Sequence, residues 1–253
     1  MSLQIDSRLS FLEHAYALYE DRLSLRSRVL LTAASVDAGF AMQLFRCITP
    51  PRLNAATCQD ALIPDVHLYY EAVGKIFALQ RAANQATSTK SMAFQQLQEI
   101  AANTSSPVQL PLLAKILESA NLSEMEFTSL LNTLAAAIEA LPVDDNSFYG
   151  RNEYLVVEAR VQLERLAQVK EVSSYAFTHS VHDYLQRSLR GTHCEDNEPK
   201  DLKELVTLYQ SLNRRPGTSD DRVEPLSLPT SLPPIEPHPA PAIIGLARKQ
   251  RNS

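Results

Sequence analysis

With 253 residues and 45% hydrophobic content, the chain can build one large core or two small ones and needs neither disulfides nor a metal to hold them. A net charge of −5 with both signs interspersed excludes a strong field, so phosphate neutralisation by the chain as a whole is not expected. Only six glycines occur, which leaves few sites for tight turns or phosphate-cradling loops, whereas Ala, Leu, Glu, Gln and Arg favour helix. The class predicted is therefore all-α, an irregular bundle of about seven or eight helices followed by a disordered proline-rich tail.

A first helix is predicted to start after Asp6 or Ser7 and to bury the stripe Leu9, Leu12, Tyr16 and Tyr19. A second, over residues 24–48, is apolar around much of its circumference and should lie centrally, ending before Pro50 and Pro51. Residues 29–48 have the length of a membrane span, but Asp37, Gln43 and Arg46 are costly in a bilayer and favour a buried helix. Asp65 can cap a third helix, reaching residue 87 with Leu68, Ala72, Ile76, Leu79 and Ala83 on one face. A shorter helix from Ser91 buries Met92, Leu97 and Ile100, and Ser106 with Pro107 opens the next.

The clearest local signal is residues 122–127, where Ser123 caps, Glu126 bonds back, and Leu122 staples onto Phe127. That helix should halt at Pro142. Helical spacing resumes near Asn152 and continues towards Leu189, as one helix or as two parted at Ser173 and Ser174, with Gly191 as a C-cap. Pro199 opens a last helix with Leu202, Leu205, Val206, Tyr209 and Leu212 on one face. The domain assignment is 1–213 helical, with a subdomain boundary near 142–152, and 214–253 tail, where eight of the fifteen prolines fall. Deleting 216–253 is expected to leave thermal stability nearly unchanged.

Cys47, Cys58 and Cys194 are odd in number and widely spaced, which does not resemble a disulfide framework and suits a reducing compartment, cytoplasm or nucleus. Residues 1–8 are polar and no secretory signal is apparent. His179, His182, Asp183, His193 and Cys194 match no strong zinc spacing, so no metal or cofactor is assigned and a chelator should not move the melting temperature. Asp144 with Asp145, and Asp220 with Asp221, read as solvated turn residues, and Cys58 as an idle thiol. Tyr69, Tyr70 and Phe77 read as core, as does the leucine-rich stretch 110–117. Arg151, Arg160, Arg165 and Lys170 alternate with Glu153, Glu158, Glu164 and Glu171 as on a solvated helix face, with no strong nucleic-acid signal.

An all-helical chain with no catalytic or cofactor motif points to work by surface contact, as an adaptor or scaffold subunit with one or more protein partners, in homo- or hetero-oligomers. The tail adds a candidate docking peptide at 242–251, in which Ile243, Ile244 and Leu246 precede Arg248, Lys249 and Arg251. The alternatives are a helical enzyme with a dispersed interhelical site around His179, His182 and Asp183, and a regulator of a single target.

Overall fold

The computed structural model describes residues 7–55, 57–58, 64–84, 90–143, 152–191, 193–194, 201–213, 225–232 and 235–236. Within them the fold is an all-α, irregular multi-helix bundle: α1 (Ser7–Ala17), α2 (Arg22–Val36), α3 (Ala38–Phe45), α4 (His67–Asn84), α5 (Lys90–Ala102), α6 (Leu110–Ser119), α7 (Glu124–Glu139), α8 (Asn152–Val169), α9 (Tyr175–Ser188) and α10 (Leu202–Leu212). A single 3₁₀ turn, Pro107–Gln109, leads into α6, and two residues of parallel pairing join β1 (His193–Cys194) to β2 (Ile235–Glu236).

Most helix ends follow from local chemistry. At the end of α1, Tyr19 takes a left-handed conformation (φ 56°) and the Glu20 amide bonds back to the Ala15 carbonyl. Glu171 does the same after α8 (φ 54°), with the Val172 amide on the Ala167 carbonyl. Both close orphan carbonyls with a residue other than glycine. The second closure settles that residues 152–189 form two helices, turning just before the serines that the sequence offers as the break.

The single helix predicted over 24–48 is instead α2 and α3. Asp37 is extended there and its carboxylate accepts the Phe40 amide at 3.0 Å, so the charge that argued against a membrane span is the N-cap that starts a new helix.

Before α6, Gln109 is fully buried; its Oε1 accepts the Ser105 and Ser106 amides at 2.7 and 2.9 Å while its Nε2 donates to the Tyr70 hydroxyl at 2.9 Å. Burial pushes the Tyr70 phenol well above its ordinary range. At α7 the predicted capping box is present: Ser123 Oγ accepts the Glu126 amide, Glu126 Oε2 accepts the Ser123 amide, and Leu122 and Phe127 are both buried. Replacing Ser123 with alanine is expected to cost about 1 kcal/mol, read as a shift in the urea midpoint with unchanged slope.

Packing skips one helix at a time. α2, α4, α6 and α8 pack in succession as one row, and α5, α7 and α9 as a second. α2 also packs on α3, α4 on α5 and α8 on α9, so pairs of helices stack along the chain and one cluster of buried side chains runs from Leu30 to Leu226. Pair lengths vary, which is why no fixed sequence period announces the stacking.

At the far end of the rows the structure departs from the sequence in two ways. Part of the proline-rich tail is docked: Leu226 is only 4% exposed, and Asn213, just past α10, accepts its amide at 2.6 Å and donates to its carbonyl at 2.9 Å. Leu226 lies within the segment assigned to the tail. A single leucine between prolines shows no periodicity, so the docking had no sequence signal. Truncation after residue 215, expected from the sequence to be neutral, is now expected to cost about 2 kcal/mol because it exposes what Leu226 covers; thermal unfolding of the two lengths measures it.

Second, Cys58 and Cys194 are disulfide-bonded, with Cα atoms 5.5 Å apart across a sequence separation of 136. This corrects the reading of Cys58 as an idle thiol. Cys47 remains free and exposed. The pairing was not legible because it joins a loop before α4 to the strand after α9, a proximity created only by the stacking of the helices between them.

Candidate interaction surface

α2 carries apolar residues on both its packed and its outward side. The face against α4 buries Ser24, Ser27, Leu30 and Ala34, with both serines fully covered; their hydroxyls bond to Asp21 Oδ2 and the Leu23 carbonyl. The opposite face presents Leu25, Val29, Thr32 and Val36, spaced i, i+4, i+7, i+11 along one line. Leu25 is 46%, Val29 60% and Val36 84% exposed. Arg22 and Arg26 flank this stripe on one side and Arg28 on the other, all exposed.

The stripe extends beyond both ends of the helix. In the turn before it, Leu18 and Tyr19 are exposed, and on α3 just after it Phe40 is half exposed. On α1, Phe11 and Leu12 are also exposed, and that helix is not among those that pack substantially on another described element. The predicted burial of Leu12 and Tyr19 is therefore not observed. The Leu9 side chain lies outside the described residues. Contiguous apolar surface rimmed by cations is the usual signature of an interaction site, and scattered single exposures are not.

The residues singled out from sequence fall elsewhere. His179 Nε2 lies 3.3 Å and His182 Nδ1 3.4 Å from opposite oxygens of Asp183, which is exposed, so the three are in contact on α9. His182 is buried and points its Nε2 into the protein without a hydrogen-bond partner. Among the described residues no group of His, Cys, Asp or Glu has the arrangement to hold a metal ion. Arrangement on one helix thus brings them together; among the described residues, three concave regions are lined by Leu189, Arg190 and residues 228–232, by Ala102 with the small residues of α7, and by Phe45 with α4 and α5, none of them by these three side chains.

Tyr69, Tyr70, Phe77 and most of residues 110–117 are core, as the spacing predicts. The alternating charges of α8 are not a uniformly solvated face. Glu153, Arg160 and Glu164 are buried, and Glu164 Oε1 takes both the Arg160 guanidinium at 3.4 Å and the Thr178 hydroxyl of α9 at 2.9 Å. Spacing of three to four residues put these charges on the inner side, where α9 supplies a polar partner. Asp144, Asp145, Arg151, Asp220 and Asp221 lie outside the described residues, as do Ile243, Ile244, Leu246, Arg248, Lys249 and Arg251 of the candidate docking peptide.

The surface of α1, α2 and α3 was missed from sequence for a simple reason. A stretch apolar around much of its circumference reads as a buried helix, and nothing in the sequence says which of its faces the fold leaves uncovered. No protein-family model, curated protein or solved structure matches this chain.

Proposed function

We propose that this protein is a non-enzymatic interaction module, an adaptor or scaffold subunit that holds protein partners through helix faces. The observation that carries the reading is the outward apolar stripe of α2, exposed although the inward face of the same helix is buried through Ser24, Ser27, Leu30 and Ala34. The peptide 242–251 is the proposed second binding element, tethered by the proline-rich segment so that a partner already held by the helices meets it at high effective concentration.

Affinity purification of the full chain and of its Val29→Glu variant from native extract tests this. Loss of stoichiometric partners from the variant, with its circular dichroism unchanged, supports the reading. Retrieval of the same partners by both proteins refutes the role given to the α2 face.

Among the described residues no helix is long and apolar enough to cross a membrane. Residence in the cytoplasm or nucleus, expected from cysteine usage, now requires the Cys58 and Cys194 pair to be kept as thiols there, because disulfides persist mainly in oxidising compartments. Counting thiols after acid quenching and denaturation decides it: labelling at Cys47 alone places the chain in an oxidising compartment, and labelling at all three cysteines supports cytoplasm or nucleus.

A further inference from the structure

We infer that the outer face of α2 is a two-fold interface with a second copy of this chain, in which the two α2 helices cross antiparallel. The inference rests on the interaction-module reading and names the partner of that surface.

Stacked helix pairs bury each apolar face against the next pair, and the last pair at either end must be capped or covered. Here the two ends differ. Beyond α9 the chain supplies its own cover: Leu205, Tyr209 and Leu212 of α10 and Leu226 of the docked tail are buried, and Gln186 of α9 donates to the Ser227 hydroxyl at 3.3 Å. The end that carries α2 has no such cap among the described elements: α4 lies against its inner face, and its outer face is the stripe Leu25, Val29, Thr32 and Val36. Among the described residues nothing covers it.

The pattern of that face is complementary to itself. In an antiparallel pair related by a two-fold axis, each flank of a helix faces the same flank of its copy. Centring the axis between Val29 and Thr32 sets Val29 against the copy's Thr32 and Leu25 against the copy's Val36. The same register also brings Arg22 to the copy's Asp37, whose carboxylate is exposed, and by symmetry makes that ion pair twice.

Other occupants fit less well. A parallel pair of α2 helices sets the Arg22 and Arg26 flank against the Arg28 flank, which is repulsive. An anionic lipid surface would suit the arginines, but Glu20 and Asp37 are exposed at the two ends of the stripe and would be driven against the headgroups.

The test is the molar mass of the full chain in solution by size-exclusion chromatography with light scattering, across a micromolar concentration series. A dimer is expected for the wild type and a monomer with an unchanged helical spectrum for Val29→Glu. Asp37→Asn keeps an N-cap for α3 but removes the charge, and should weaken the dimer roughly fivefold through two lost surface pairs. Arg22→Glu should weaken it further by turning both pairs repulsive.

A wild type that is monomeric throughout overturns the proposal, and so does a dimer that Val29→Glu leaves intact. Co-sedimentation of monomeric wild type, but not Val29→Glu, with vesicles of phosphatidylcholine and phosphatidylserine overturns it in favour of a lipid surface. The broader reading fails separately. A monomeric wild type that still loses an extract partner on Val29→Glu refutes the dimer alone, whereas a monomer whose partners ignore that change refutes both.

Discussion

Replacing Cys58 and Cys194 together with alanine is expected to lower stability by about 5 kcal/mol under non-reducing conditions. The bridge closes a loop spanning 136 positions, and in the chain-entropy account the stabilisation grows with the logarithm of loop length. A typical domain has only about 5–15 kcal/mol to lose, so the double variant should sit near the edge of folding. Urea denaturation measures the effect, and excess dithiothreitol should bring the wild type most of the way to the variant. Equal midpoints without reductant would show that the two cysteines are not joined in the folded protein. Both side chains are buried, so a modest part of the loss comes from removed packing and would survive reduction.

The next largest effect is expected at Phe127. Its ring is fully buried at the start of α7, under the staple from Leu122, and the Lys170 ammonium lies 5.9 Å from its centre while donating to the Leu122 carbonyl at 2.5 Å. One side chain therefore joins the capping box of α7 to the turn between α8 and α9. Phe127→Ala should cost about 3–5 kcal/mol, combining lost transfer energy with a cavity in a close-packed site. Met125, two positions earlier and 83% exposed, is the contrast: Met125→Ala should stay within about 0.5 kcal/mol of wild type. Comparable losses at the two positions would mean that the α7 face has been assigned the wrong way round.

The capping box of α7 and the disulfide show what a sequence can and cannot express. Leu122, Ser123, Glu126 and Phe127 act within one helical turn, so their roles follow from spacing alone, and the structure places them as predicted. Cys58 and Cys194 act across the stacked helices, and no local pattern could pair them. Asp37 falls between these cases. Its presence in an apolar stretch was plain, but whether it would be solvated on one long helix or cap a second depended on how α3 could settle against α2 and α4.

The candidate surface follows the same division. Sequence alone determined that the chain is helical, where most helices begin and end, and that residues 24–48 are too apolar to stand free in water, because backbone capping and side-chain periodicity are properties of neighbours along the chain. Only the tertiary structure decided which side of α2 is covered, that Leu226 of the tail is drawn into the core, and that Glu153, Arg160 and Glu164 lie inside. Burial is set by neighbours in space, and the arrangement of helix pairs that supplies those neighbours leaves no period in the amino-acid sequence to read.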